Sequence, residues 1–157
     1  MKATGAQKPA AGAKRQASQV KTLIVDDQEP FLDALRRLIA AVPGFVLAGE
    51  ASSGEDALAM VDEVAPQLVL MDVRMPGMGG FEAALRIRES GRNPKVQVVF
   101  VTSRTDDEFR DQAGRAGAAA YITKPFVVSE ITLTALAFTL RARISESSAE
   151  PAEPAIA

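Results

Sequence analysis

Residues 67–80 read QLVLMDVRMPGMGG. The apolar run over 67–71 has the length of a buried strand and stops at Asp72. Gly77, Gly79 and Gly80 then form a flexible loop, and a helix is predicted over 81–89. The same unit of apolar strand, polar end and helix repeats on both sides. Upstream, VKTLIV (20–25) is a β-branched run ending at Asp26-Asp27. Pro30 opens a helix whose Phe31, Ala34, Leu35 and Leu38 share a face, and Pro43-Gly44 ends it. A second strand spans 45–49. Ser53 with Asp56 resembles a capping box before a helix with Ala57, Met60, Val61 and Val64, which Pro66 breaks. Downstream, VQVVFV (96–101) ends at Thr102. Thr105 with Glu108 is a second capping-box pattern, with Asp106 and Asp107 favouring the helix dipole. A fifth strand spans 118–122, Lys124-Pro125 follows, and a last helix is predicted over 129–143. Five strands alternating with five helices predict an α/β fold, a doubly wound parallel sheet with helices on both faces. Such sheets place their sites at the carboxyl ends of the strands. Four of those ends carry Asp26 and Asp27, Asp72, Thr102 and Lys124.

Composition narrows the chemistry. The 157 residues include no histidine and no cysteine, and 24% are charged. A thiol nucleophile, a Ser–His–Asp triad, a structural zinc site and a disulfide framework are excluded. Carboxylates, hydroxyls, lysine, arginine or a hard metal must carry the function. No stretch has the length of a transmembrane helix and no apolar leader opens the chain, so a cytoplasmic protein is expected. The net charge of −2 gives no reason to expect nucleic acid as a partner. It conceals an acidic core between tails of opposite sign. Residues 1–19 hold Lys2, Lys8, Lys14 and Arg15 without an acid, and 144–157 hold Glu146, Glu150 and Glu153. Both ends lack apolar periodicity and are expected to be disordered, with a single domain over 20–143.

The ordered set VDDQEP (25–30), MDVRMPGMGG (71–80), VTSR (101–104) and AAYITKPF (119–126) resembles the response-regulator receiver domain of two-component signalling. The resemblance covers essentially the whole predicted domain, and the separations from Asp27 to Asp72, Thr102 and Lys124 agree with the family. It implies a flavodoxin-like (β/α)5 fold with strand order 2-1-3-4-5. It also implies that Asp72 accepts a phosphoryl group from a sensor histidine kinase or histidine phosphotransfer protein, assisted by Thr102 and Lys124. The chain would then be a phosphoacceptor, not an enzyme beyond its own phosphoryl transfer and autodephosphorylation. The backbone carbonyl of Arg74 is implied as a metal ligand, and Thr102 and Tyr121 as switch residues. Gly79 stands where many relatives have an acid, which removes a charge from the helix start.

The residues by themselves point to a metal. Two carboxylates about 5 Å apart repel by roughly 3 kcal/mol at an effective dielectric of about 20. Asp26, Asp27 and Asp72 with only Lys124 nearby therefore call for a hard divalent cation. Mg²⁺ suits such ligands, with Mn²⁺ as a substitute. Asp27 and Asp72 are expected to bind it directly, and Asp26 partly through water.

The last predicted helix has two apolar stripes. Ile131, Ala135, Phe138 and Ala142 face the sheet. Leu133, Leu136, Leu140 and Ile144 form the other, which predicts a protein partner or a homodimer. With few residues beyond Arg143, a stand-alone, chemotaxis-regulator-like receiver is expected, one that signals by binding an unidentified target protein through helix 4, strand 5 and helix 5. GEASSGEDAL (49–58) resembles receivers that precede helix-turn-helix domains. The runner-up is thus a transcription factor's receiver without its effector, and an inert scaffold is the third reading.

Overall fold

The computed structural model describes residues 19–124. Nine elements alternate: β1 (Val20–Val25), α1 (Glu29–Ala41), β2 (Phe45–Ala51), α2 (Gly54–Val64), β3 (Leu68–Asp72), α3 (Gly80–Ser90), β4 (Gln97–Thr102), α4 (Asp107–Arg115) and β5 (Ala120–Thr123). The strands form one parallel sheet in the order β2-β1-β3-β4-β5, as expected. The predicted tails, the last helix and its Leu133, Leu136, Leu140 and Ile144 lie outside the described residues.

Side-chain alternation along the central strands fills two cores. Leu23, Val25, Val69, Met71 and Phe100 pack with Ala57, Val61, Ala83, Ile87 and Phe109 from α2, α3 and α4. Ile24, Leu68, Leu70, Val99 and Val101 pack with Leu32, Leu35, Leu38 and Ile39 of α1 on the other face. β1, β3 and β4 are covered on both sides, so they read as continuous apolar runs.

Local chemistry moves several boundaries. β2 runs on to Ala51 because its carbonyl accepts from the Asp26 amide at 3.1 Å, two residues past the predicted end. β4 begins at Gln97, since the Val96 amide closes a turn onto Asn93 at 3.2 Å. β5 begins at Ala120, because the Ala118 amide is still bonded to Ala113 at the end of α4. Ser53 caps α2 as predicted, its hydroxyl accepting from the Asp56 amide at 3.0 Å. The predicted Thr105 cap is not used. Asp106 caps α4 instead, Oδ1 accepting from the Phe109 amide at 2.8 Å. Asp is as good a cap as Thr, and the Arg104 guanidinium grips both Asp106 oxygens at 2.9 and 3.0 Å. That ion pair fixes the carboxylate where the helix starts.

The glycine run after β3 is sterically required at one point. A Cβ on Gly80 would overlap the Asp72 carbonyl oxygen and crowd the Val73 backbone. The third helix can therefore start directly against the strand end. Gly80→Ala should lower stability in urea by about 1–3 kcal/mol through overpacking. Gly114→Ala, where no atom lies within 4 Å of the new methyl, should instead raise it by about 0.5–1 kcal/mol. Equal effects at the two sites would refute the steric account.

Candidate functional site

The carboxyl edge of the sheet gathers the polar groups that the apolar strands exclude. Asp26 follows β1 and is fully buried, Asp72 is the last residue of β3, and Thr102 is the last of β4. Lys124 follows β5, and its amide donates to the Thr102 carbonyl at 2.8 Å. The β4–β5 pairing thus extends one step and brings the lysine over the site.

Lys124 Nζ donates to Asp26 Oδ2 at 2.6 Å and lies 3.4 Å from Asp72 Oδ1. Backbone amides also bond to both carboxylates. Asp26 Oδ1 accepts from the Gln28 amide at 3.0 Å, and Asp72 Oδ1 from the Val73 amide at 2.9 Å. Thr102 Oγ1 accepts from the Arg104 amide at 3.0 Å. Among the described residues no buried side-chain polar atom lacks a partner. Burial raises the Asp72 carboxyl above its ordinary pKa. The Lys124 ammonium opposes that shift, and the Asp26 charge adds to it.

Asp27 differs from its neighbour in being exposed. One oxygen from each of Asp26, Asp27 and Asp72 lies within 4.8 Å of the others. Three hard oxygen donors so close, one open to solvent, match what Mg²⁺ or Mn²⁺ takes. The residues present fit such an ion, because a single ammonium leaves the negative charge of three carboxylates uncompensated. Arg74 lies in the loop after β3 with its side chain exposed.

Tyr121 projects from β5 and is 40% exposed. Its ring meets Phe109 edge-on at 5.3 Å. Phe109 in turn packs against Phe100 and Phe81 at 6.5 and 5.7 Å. An aromatic row therefore runs from the first turn of α3 to the sheet edge.

The sequence-predicted Asp26, Asp27, Asp72, Thr102 and Lys124 are thus brought to one edge. Two contributors escaped the sequence reading. Phe31, expected only as a core residue of the first helix, places its ring centroid 3.7 Å from Lys124 Nζ. This cation–π contact adds a further attraction on the ammonium besides the carboxylates. Its one sequence signal is an aromatic one helical turn beyond Asp27. Glu55, to which the sequence reading gives no role, accepts from the Met78 amide at 3.1 Å, and no local pattern marks that contact.

Comparison with known proteins agrees with this geometry. A family model described as the response regulator receiver domain matches residues 22–136. Response regulator GacA of Pseudomonas aeruginosa is 41% identical over 105 residues, covering 67% of this chain and 48% of that protein. Response regulator UvrY of Escherichia coli is 36% identical over 112 residues, covering 71% and 50%. The chain spans about half the length of these curated relatives. Among solved structures, the signal receiver domain of NarL from Mycobacterium tuberculosis superimposes with a TM-score of 0.70 at 26% identity, covering 79% of this chain and 98% of that one. A structure described as a DNA-binding response regulator of the LuxR family from Staphylococcus aureus gives 0.67 at 26% identity, with 80% and 98% covered. The matched segment contains β1 from Thr22 onward, the other four strands and all five clustered polar residues, and the chain belongs to the response regulator receiver domain family of two-component signalling.

Proposed function

We propose that Asp72 is the phosphoacceptor of this receiver, charged by a phosphohistidine on a sensor histidine kinase or a histidine phosphotransfer protein. The observation that carries this reading is a nearly buried carboxylate at a strand end, 3.4 Å from a lysine ammonium and clustered with two further carboxylates. An Asp72 carboxylate oxygen attacks phosphorus, the P–N bond to the donor imidazole breaks, and its electron pair leaves on nitrogen. Lys124 neutralises charge on the phosphoryl oxygens, and the Thr102 hydroxyl donates a hydrogen bond to one of them. Asp26, Asp27, Asp72 and the Arg74 backbone carbonyl would hold Mg²⁺, which supplies charge neutralisation for the carboxylates and the incoming phosphate. The sequence contains no histidine, which supports a donor on another molecule. The protein acts as a phosphoacceptor, with no turnover of a separate substrate.

The signal leaves through Thr102 and Tyr121. Drawing the threonine hydroxyl toward the phosphoryl group gives up its bond from the Arg104 amide and opens room for the exposed tyrosine to turn inward. The face made by α4, β5 and the last predicted helix then contacts a target protein, in the cytoplasm. A second reading has specific support. The relatives are about twice as long as the matched part, and one solved neighbour is described as DNA-binding. In that reading the domain is the receiver half of a transcription factor, and DNA is bound by residues outside it. Retention of a target protein, against retention of DNA by the longer protein, separates the two.

Four measurements test this reading. Intact mass at neutral pH after treatment with acetyl phosphate and Mg²⁺ should show one added phosphoryl group on the wild type and none on Asp72→Asn; equal labelling would exclude Asp72. At about a hundred times its Kd, Mg²⁺ should stabilise the wild type by about 2.7 kcal/mol, and Asp27→Asn markedly less.

Lys124→Met should cost roughly 3 kcal/mol at neutral pH without divalent ions, since it strips buried carboxylates of their cation. Asp72 has a raised pKa in the folded state, so its ionisation destabilises the fold. That deficit grows as pH rises from the ordinary aspartate value to the raised one, and is complete above it. Removing the ammonium raises the Asp72 carboxyl further, so the Lys124→Met penalty should shrink on acidification between the variant's higher value and the wild type's, above that window. A pH-independent penalty would sink the electrostatic account.

Tyr121 is the sole tyrosine, and there is no tryptophan. Beryllofluoride with Mg²⁺ should reduce acrylamide quenching of its emission in the wild type but not in Asp72→Asn. Identical quenching with and without the mimic would remove Tyr121 from the switch.

A further inference from the structure

The loop from Val73 to Gly79 joins the acceptor strand to α3, and α3 starts without a side-chain cap because Gly79 occupies the N-cap position. The loop is closed on itself by the Gly80 amide, which donates to the Val73 carbonyl at 2.9 Å. A second tie comes from a different element. Glu55 in the first turn of α2 accepts the Met78 amide at 3.1 Å across 23 residues of sequence. The loop passes directly against this carboxylate. Gly77 has φ of 75°, and a Cβ there would lie 3.1 Å from Glu55 Oε1. Hydrogen bonds from Glu55's own amide and from Met78 hold the carboxyl below its ordinary pKa. The same loop begins with the Val73 amide that binds Asp72 Oδ1 at 2.9 Å. Val73 is thus fixed at its carbonyl by Gly80, and the far end of its loop is fixed by Glu55.

We propose that Glu55 is a positioning residue of the acceptor site, anchoring the 73–79 loop so that the Val73 amide orients Asp72. The proposal rests on the reading of Asp72 as the acceptor.

The test compares Glu55→Ala, Glu55→Gln and a distant core control, Ile39→Val. Three quantities are read: hydrogen exchange of the 73–79 amides, Mn²⁺ affinity by paramagnetic resonance, and the rate of acetyl phosphate labelling by intact mass. Glu55→Ala should speed loop exchange, weaken Mn²⁺ binding and slow labelling, each roughly fivefold, as expected for one lost hydrogen bond. Glu55→Gln keeps an acceptor oxygen at the same reach and should recover most of each. Ile39→Val should leave metal affinity and labelling unchanged. The proposal is overturned if Glu55→Ala matches the wild type, if Glu55→Gln is as impaired as Glu55→Ala, or if Ile39→Val shows the same losses. If the wild type takes no phosphoryl group, the acceptor reading falls, while the exchange and Mn²⁺ measurements still decide the role of Glu55.

Discussion

Lys124 reaches across the carboxyl edge of the sheet to a carboxylate with no exposed surface, 2.6 Å away, and to a second one 3.4 Å away. Buried aspartates are costly to keep ionised without a cation and hydrogen bonds. Asp26 has both, from Lys124 and the Gln28 amide. The constraint is reciprocal. Lys124 is held where it is by a backbone bond to β4, by the carboxylates, and by the face of Phe31. Helix α1, strands β1, β3 and β4 and the end of β5 all converge on this one ammonium. The placement of four strands relative to one another is therefore tied to the site's charge balance.

That balance is incomplete by design of the residues. One lysine faces three carboxylates, and the exposed one, Asp27, carries no tie comparable to that of Asp26. Burial pushes proton affinity of Asp72 upward while the neighbouring ammonium pulls it down. The site is thus polarised before any ligand arrives, with its uncompensated charge on the solvent side.

The parallel sheet explains why so much was legible in the residues. A strand end is a local feature of sequence, and in a doubly wound sheet all strand ends meet at one edge. Asp26, Asp27, Asp72, Thr102 and Lys124 could therefore be grouped without coordinates. Features set by helix rotation and side-chain reach were not legible. The pattern at Thr105 and Glu108 fits a capping box, but Arg104 settles the cap one residue later on Asp106. Phe31 lies on an apolar helix face either way, and only the angle of α1 turns its ring onto Lys124. Glu55 meets Met78 because α2 and the loop after β3 are brought side by side, a relation that no periodicity encodes.

The aromatic row gives the sheet edge a particular mechanical character. Tyr121 rests edge-on against Phe109, which is fully buried and itself wedged between Phe81 and Phe100. Close-packed interiors yield by whole rotamer changes and not by gradual compression. Tyr121, half out of that stack, is limited by its staggered rotamers and by its one ring contact with Phe109. Were this ring to act as the proposed switch, intermediate occupancy at the site would be read as a mixture of rotamer populations, not as a half-turned side chain.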